Sequence, residues 1–247
     1  MDNKRLAYLD AMGIQSWERR MPSSSPSHRG EDGVVHVMSE TMPSLVTGAD
    51  VADLDSSLEK ESLDVLRIQV AHCTACGLHQ GRTQTVFGVG DHHAQWMIVG
   101  EAPGAEEDRQ GEPFVGRAGQ LLNAMLLAMG LSRDAVYIAN ILKCRPPNNR
   151  DPAPEEAAAC EHYLKRQIDL ISPAIILVVG RVAAHNLLKT DAALGTLRGK
   201  RFSYADSGIP VVVTYHPAYL LRSPKEKRKA WEDLQFAHKV FLETRLP

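Results

Sequence analysis

The feature that most constrains the fold is a repeated alternation of short apolar runs with glycine-containing turns and amphipathic stretches. The stretch Trp96–Gly119 shows it first. The run Trp96–Val99 is too short for a helix and has the length of a buried strand. The turn Gly100–Gly104 follows, where the backbone can approach a ligand closely. Apolar residues then recur at helical spacing from Leu121 onwards, so we predict a strand, a loop and a helix.

The same alternation continues to the end of the chain. We predict strands at 96–100, 136–141, 174–179 and 211–214, with an edge strand at 202–204, and helices at about 117–130, 154–171, 181–188 and 225–243. Repeated βα units favour parallel pairing with helices on both faces of the sheet. We therefore expect an α/β fold, a three-layer doubly wound sheet of about four mainly parallel strands.

The first part of the chain has a different composition. Residues 1–20 carry a weak helical pattern, and residues 22–57 are rich in Ser, Pro, Gly and acidic residues with little periodicity. Such a segment is typical of a flexible or disordered extension. A helical period returns from Leu58, so we predict an N-terminal extension at 1–57, with a short helix at 1–20, and a folded domain at 58–247.

Charge is distributed unevenly along the 247 residues. The whole chain has a net charge of −2, but residues 1–72 carry −5 and residues 73–247 carry +3. A surface for a polyanion would therefore belong to the second part. The sequence contains neither an apolar run of membrane-spanning length nor a secretory signal pattern, so we expect a cytoplasmic protein without a membrane partner.

The four cysteines form one close pair, Cys73 and Cys76, and two separate positions, Cys144 and Cys160. Disulfides are unusual in a cytosolic chain. A fold that gathers the four thiolates could hold zinc or a [4Fe–4S] cluster, and the spacing alone does not separate these two. Four unrelated buried thiols are the remaining interpretation.

Three polar residues lie at the ends of predicted strands. Glu101 and His216 follow their strands and Asn140 is near the end of its strand, and ligands of parallel sheets bind beyond these carboxyl ends. The amide of Asn140 offers a donor and an acceptor side by side, which suits the edge of a base. The imidazole of His216 could donate to a developing anion. Taken singly, each residue also fits a plain βα turn or a solvated surface.

A further candidate follows His216. Leu220 and Leu221 are adjacent apolar residues in a stretch that we expect to be an exposed loop, and Arg222 comes directly after them. They could form a wedge that unstacks a duplex, with cations on the phosphates. The alternative is an ordinary helix entry with a solvated basic face.

Taken together, these pieces resemble the family 4 uracil-DNA glycosylases, the iron–sulfur branch of the uracil-DNA glycosylase superfamily. The matching segments are Gly100–Gly104 with Glu107-Asp108, Phe114–Gly119, Asn140 with Lys143–Pro147 and Asn149-Arg150, His216–Arg222, and the four cysteines. The resemblance covers about residues 63–243, and residues 1–57 lie outside it.

The resemblance implies hydrolysis of the N-glycosidic bond of uracil in single- or double-stranded DNA. It favours a structural [4Fe–4S] cluster over zinc, with Cys73, Cys76, Cys144 and Cys160 as ligands. We expect a monomer associated with the nucleoid, in which residues 1–57 are a candidate docking segment for a protein partner.

The resemblance also implies a role for each site residue. Backbone N–H groups of Gly100, Glu101 and Ala102 would hold the base, Phe114 would stack on it, Asn140 would pair with O4 and N3–H, and His216 would donate to O2. Leu220 or Leu221 would fill the gap left by the flipped base, and Arg222 would contact phosphate.

At two positions the chain departs from the better-known uracil glycosylases. Ala102 stands where they carry Asp, and Gly104 stands where they carry the Tyr that blocks the thymine methyl group. Our first choice to orient the water is therefore Glu101, which with His216 forms the predicted catalytic pair, and our second is Glu107 or Asp108.

Three other functions fit parts of the sequence. A covalently trapping relative would carry a basic insertion with a His after the first loop, whereas here Glu106–Asp108 runs straight on to Phe114, so we expect turnover. A nucleotide-binding enzyme is disfavoured because Gly100–Gly104 matches no phosphate-binding fingerprint. A non-catalytic iron–sulfur module that binds DNA as a polymerase or repair partner is the alternative of a different class.

Overall fold

The computed structural model describes residues 62–245. The predicted N-terminal extension at 1–57, its short helix at 1–20 and the domain boundary at residue 58 lie outside the described residues.

Six strands form one mixed sheet within this part of the chain. They are β1 (Val89–Gly90), β2 (Trp96–Gly100), β3 (Tyr137–Asn140), β4 (Ile175–Val179), β5 (Arg201–Tyr204) and β6 (Ile209–Thr214). Their order across the sheet is β1-β3-β2-β4-β6-β5. The four central strands are parallel, and β1 and β5 pair antiparallel at the two edges.

Helices flank both faces of this sheet. They are α1 (Leu63–Ala71), α2 (Ala105–Gln110), α3 (Arg117–Ala128), α4 (Pro154–Ile171), α5 (Arg181–Leu188), α6 (Leu194–Leu197), α7 (Pro217–Arg222) and α8 (Lys227–Glu243). No helix in residues 62–245 combines the length and the apolar character needed to cross a membrane. The predicted three-layer α/β fold is confirmed. Its sheet has six strands where about four mainly parallel ones were predicted, and β1 is an addition that the sequence pattern did not predict.

Two apolar cores, one on each face of the sheet, hold the three layers together. Alternate side chains of a strand point to opposite faces of the sheet. Met97 and Val99 of β2 therefore pack with α1 and α4 in one core, while Trp96 and Ile98 pack with α3 and α8 in the other. Because both faces are covered, all five residues of β2 are buried, which accounts for its continuous apolar sequence.

The parallel register brings the carboxyl ends of the strands level with one another. Gly100 at the end of β2 pairs with Asn140 at the end of β3. Val179 at the end of β4 pairs with Thr214 at the end of β6, two residues before His216. Side chains that follow these strands therefore share one edge of the sheet.

The segment after β6 differs from the sequence prediction. It forms helix α7, in which Pro217 occupies the first turn and the ring of His216 accepts the N–H of Ala218 at 3.1 Å. The helix directs Leu220 into the core, where it is 1% exposed, and leaves Leu221 36% exposed. The expectation that both leucines lie in an exposed loop is wrong for Leu220.

A buried ion pair fixes the end of β6. Arg198 donates to both carboxylate oxygens of Asp233, at 2.6 and 3.0 Å. The hydroxyl of Thr214, the last residue of β6, donates to the same carboxylate at 2.8 Å. The side chains of Arg198 and Asp233 are 12% and 3% exposed, so bulk water solvates neither charge well.

We therefore expect Asp233→Ala to lower the free energy of unfolding by about 3–5 kcal/mol, because it leaves the buried guanidinium of Arg198 without its carboxylate counter-ion. The matched control is Glu232→Ala on the same helix, whose exposed pair with Arg228 should be worth less than about 1 kcal/mol. Midpoints of chemical denaturation measure both changes. Equal midpoints for the two variants would contradict the prediction.

Candidate active site

A cleft of about 420 Å³ opens at the carboxyl edge of the parallel strands. Its lining includes the candidate site residues Glu101, Ala102, Phe114, Asn140, His216 and Arg222. They come from four separate parts of the chain. The fold thus brings into one cleft the carboxylate, aromatic, amide and imidazole groups that the sequence analysis singled out.

Gly100 lies at the base of this group. A Cβ atom at this position would come within 2.5 Å of Asn140 Oδ1 and 2.7 Å of the Phe114 ring. Any larger residue would therefore displace the amide or the aromatic ring. The glycine is required because the side chains of Asn140 and Phe114 close over its backbone.

The side-chain oxygen of Asn140 is the most informative atom of the site. Asn140 is 2% exposed, and its Oδ1 accepts no hydrogen bond from any residue that the structure describes. A buried acceptor without a donor costs about 1–3 kcal/mol. Because this residue lines the cleft, a ligand N–H group is the natural partner for Oδ1.

Phe114 is held in an unusual conformation. Its φ is +54°, in the left-handed region that residues with a Cβ rarely adopt. The side chain is 6% exposed, and its ring lies against that of His216 with centroids 5.6 Å apart and planes inclined by 30°. One aromatic wall of the cleft is therefore built against the imidazole.

Glu107 organises two loops around the cleft. Its carboxylate accepts the backbone N–H groups of Gly104, Val115 and Gly116 at 3.0–3.1 Å. This role was missed in the sequence reasoning, although Glu107 lies three residues after the N-cap Gly104, where a capping carboxylate is common. Glu107 is thus already engaged by the protein, which weakens its candidacy as the residue that orients water.

The carboxylate of Asp108 binds the backbone of a different segment. It is 4% exposed, and its carboxylate accepts the N–H of Thr83 at 2.9 and 3.1 Å. It is not among the residues that line the cleft. Of the three acids considered for orienting water, Glu101 is therefore the best placed.

The environment of Glu101 favours its neutral form. Burial, with a smaller contribution from the nearby charge of Asp151, raises the pKa of Glu101 to about 7, although Arg181 acts in the opposite direction. Asp151 also lines the cleft and pairs with Arg181 at 2.9 Å. A carboxyl group that titrates near neutrality can exchange a proton during a reaction.

His216 is neutral near pH 7. Burial, with Arg222 adding to it, lowers the pKa of His216 to about 4, against an opposing effect of Glu107. Its Nδ1 accepts the Ala218 N–H, so the neutral ring carries its proton on Nε2. The ring is thus a hydrogen-bond donor without a positive charge.

Helix α7 contributes Tyr219 and Arg222 to the lining of the cleft, and Leu221 lies between them in the sequence. Tyr219 and Leu221 are 38% and 36% exposed, and Arg222 lines the cleft opening. Exposed apolar side chains beside a cation suit contact with stacked bases and phosphates.

The four cysteines line a second cavity. Cys73 and Cys76 follow α1, Cys144 follows β3, and Cys160 lies in α4. Backbone and side-chain N–H groups donate to three of the sulfurs: Ala75 to Cys73 at 3.5 Å, Arg82 to Cys144 at 3.1 Å, and Lys143 to Cys160 at 3.3 Å. Such donors stabilise thiolates, which are the form of cysteine that binds a metal. Among residues 62–245, no three Cys, His, Asp or Glu side chains are arranged to hold a single metal ion.

Comparison with known proteins gives a consistent result. The family model for the uracil DNA glycosylase superfamily matches residues 87–235. The type-4 uracil-DNA glycosylase of Archaeoglobus fulgidus is 44% identical over 181 residues, which cover 71% of this chain and 91% of that protein. The type-4 enzyme of Thermotoga maritima is 43% identical, over 72% of this chain and 94% of its own. The type-4 enzyme of Sulfurisphaera tokodaii is 43% identical, over 71% of this chain and 83% of its own.

The family-model match spans all six strands and the residues that line the cleft, and it agrees with the resemblance carried by the individual motifs. The chain therefore belongs to the uracil-DNA glycosylase superfamily, and within it to the type-4 uracil-DNA glycosylases.

Proposed function

We propose that this protein is a DNA repair glycosylase that removes uracil from DNA by hydrolysis and leaves an abasic site. The observation that carries the proposal is the buried, unpartnered Oδ1 of Asn140 in the cleft that also holds Phe114, His216 and Glu101. Uracil within a duplex must be flipped out before it can enter such a cleft.

Recognition of the base follows from the amide of Asn140. Oδ1 accepts uracil N3–H, and Nδ2 donates to O4. Cytosine presents an acceptor at N3 and a donor at N4, so it would leave both pairs unmatched at a cost of about 1–3 kcal/mol for each buried group. The ring of Phe114 stacks on the flipped pyrimidine.

Bond cleavage places the negative charge on the base. The electron pair of the C1′–N1 bond passes to uracil, and a positive charge develops on the sugar. Nε2–H of His216 donates to O2, and backbone N–H groups of residues 100–102 hold the base. A neutral donor already in place stabilises the anion without reorganisation.

A water molecule completes the reaction. Its oxygen bonds to C1′, and Glu101 in its ionised form orients it and accepts a proton. The same carboxylate lines the cleft, where its negative charge would also stabilise the sugar cation. The proton returns to solvent or to the departing uracil anion, which balances the hydrolysis.

We assign the contact with DNA to helix α7. Because Leu220 is buried in the core, we assign the wedge to Leu221, which is exposed on α7 directly before the cleft-lining residue Arg222, and the phosphate contact to Arg222. The wedge fills the gap in the stack of a duplex, and single-stranded DNA needs no such replacement.

We propose a structural [4Fe–4S] cluster in the cysteine cavity, with zinc as the alternative occupant. Its ligands would be Cys73, Cys76, Cys144 and Cys160. The cluster would supply mechanical linkage, since its ligands join the end of α1 to the loop after β3 and to α4. The loop 145–153 between two ligands contributes Asn149, Arg150 and Asp151 to the cleft, so a rigid anchor at both ends would keep these residues in place.

A non-catalytic DNA-binding module is less favoured. Such a module would need a basic surface but would have no use for a buried acceptor, a neutral imidazole and a carboxyl group of raised pKa in the same cleft. Release of uracil distinguishes the two functions directly.

Asn140→Ala and His216→Ala should each slow uracil release in single-turnover assays by about 100-fold or more, because each removes a hydrogen bond to the reacting base. Asn186→Ala and His238→Ala, which alter the same residue types away from the cleft, are the matched controls. DNA binding without free uracil from the unaltered protein would favour the non-catalytic module instead.

The raised pKa of Glu101 predicts a specific pH dependence. The carboxyl group is ionised above about pH 7 and protonated below it, so kcat/KM should fall as pH decreases through about 7. Glu101→Gln should lose this acid limb and react about 100-fold more slowly at pH 8. Glu161→Gln, on the outer face of α4, should keep the limb. A wild-type profile that stays flat from pH 8 to 5 would exclude this role for Glu101.

The cysteine cavity predicts a coloured protein. Anaerobically purified protein should absorb broadly near about 400 nm from sulfur-to-iron charge transfer, with iron and sulfide bound. Cys144→Ser should reduce both the absorbance and the bound iron, whereas Thr74→Ser should change neither. A colourless protein with one bound zinc ion would assign the site to zinc.

A further inference from the structure

Arg133 lies outside the cleft but binds the loop that forms its aromatic wall. Its guanidinium donates to the carbonyl oxygens of Pro113 at 2.6 Å and Phe114 at 3.3 Å. A third hydrogen bond, to Asn123 Oδ1 at 3.2 Å, ties the same group to α3. Arg133 is half-buried, so these bonds form with limited competition from water.

The segment that Arg133 binds needs an external restraint. Phe114 has a φ of +54°, a conformation that persists in a residue with a side chain only where surrounding contacts impose it. Glu107 accepts the next two N–H groups, those of Val115 and Gly116. Arg133 thus holds the two carbonyl groups up to Phe114, and Glu107 holds the two N–H groups after it.

Helix α3 closes the third side of this arrangement. A Cβ atom on Gly119 would overlap the carbonyl oxygen of Phe114, so the helix backbone packs directly against the strained residue. The carbonyl is therefore pressed by α3 from one direction and held by Arg133 from another. Relaxation of Phe114 to an ordinary backbone conformation would require both contacts to change.

The position of Arg133 in the fold gives these bonds a second consequence. The residue begins the 3₁₀ turn Arg133–Ala135, which leads directly into β3. That strand ends at Asn140, whose amide faces the same cleft as the Phe114 ring. The guanidinium therefore connects the element that carries the amide to the loop that carries the aromatic ring.

We propose that Arg133 is a positioning residue, which holds Phe114 in the backbone conformation that stacks its ring on the flipped base and packs it against His216. This role rests on the proposed function. Arginine suits it because the planar guanidinium reaches two carbonyl groups and one amide in fixed directions, whereas a lysine ammonium acts as a point donor on a flexible stem. Arg133 acts through Phe114 and does not contact the base itself.

The test compares Arg133→Met, which keeps much of the length but removes every donor, with Arg133→Lys. Arg201→Met, on edge strand β5, is the matched control. Single-turnover uracil release and affinity for DNA that carries a stable abasic analogue are measured for each protein. The analogue has no base to stack, so its binding reports DNA contact alone.

Arg133→Met should slow uracil release by about 10-fold or more while changing affinity for the abasic analogue less than about twofold, because only the stacked base depends on Phe114. Arg133→Lys should fall between this variant and the wild type. Arg201→Met should match the wild type in both measurements.

A double-mutant cycle separates positioning from general damage to the fold. If Arg133 acts through the Phe114 ring, Arg133→Met should slow a Phe114→Ala protein less than about twofold further, since the ring it positions is gone. Equal slowing in both backgrounds, an unchanged rate in the single variant, or a parallel loss of affinity for the abasic analogue would overturn the proposal. Melting temperature and visible absorbance of each variant verify that fold and metal centre are intact. Wild-type protein that releases no uracil would instead overturn the proposed function, and this role with it.

Discussion

The parallel pairing of the central strands is the constraint on which the site depends. Backbone hydrogen bonds set Gly100 level with Asn140, and Val179 level with Thr214. This register places residues from distant parts of the chain along one edge, before any side chain interacts with another. The Arg198–Asp233 pair then secures the end of β6 through Thr214, so that His216 begins from a fixed point. The positions of the side chains in the cleft thus depend on the backbone pairing within the sheet.

Much of the fold could be predicted from the sequence because strong physical signals coincide in it. A strand buried on both faces must be apolar throughout, and β2 and β4 are. The signals fail where few residues are involved. The two-residue strand β1 has no periodicity to detect, and the six-residue helix α7 looked like a loop. In α7 the relevant signal was present, since a Pro directly after a capping residue commonly opens a helix.

The candidate site also contains some residues that the sequence indicated and others that it did not. Residues whose chemistry faces the cleft, such as Asn140 and His216, were found because polar groups after strand ends stand out in a sequence. Glu107 and Arg133 were not found as loop-holding residues, because they bind backbone groups of segments up to 20 residues away. A backbone carbonyl or N–H group carries no trace of its partner in the sequence. The strained conformation of Phe114 is likewise invisible until the loop is seen folded.

The unpartnered oxygen of Asn140 ties ligand recognition to the thermodynamics of the free protein. A fold selected only for stability would replace this amide with an apolar side chain of similar shape, because nothing inside the protein compensates its desolvated acceptor. Retaining the amide keeps the native state less stable than its packing would allow, and under the proposed function the forgone free energy is returned when uracil N3–H occupies the cleft. Resistance to unfolding and selectivity for the base therefore compete at a single atom.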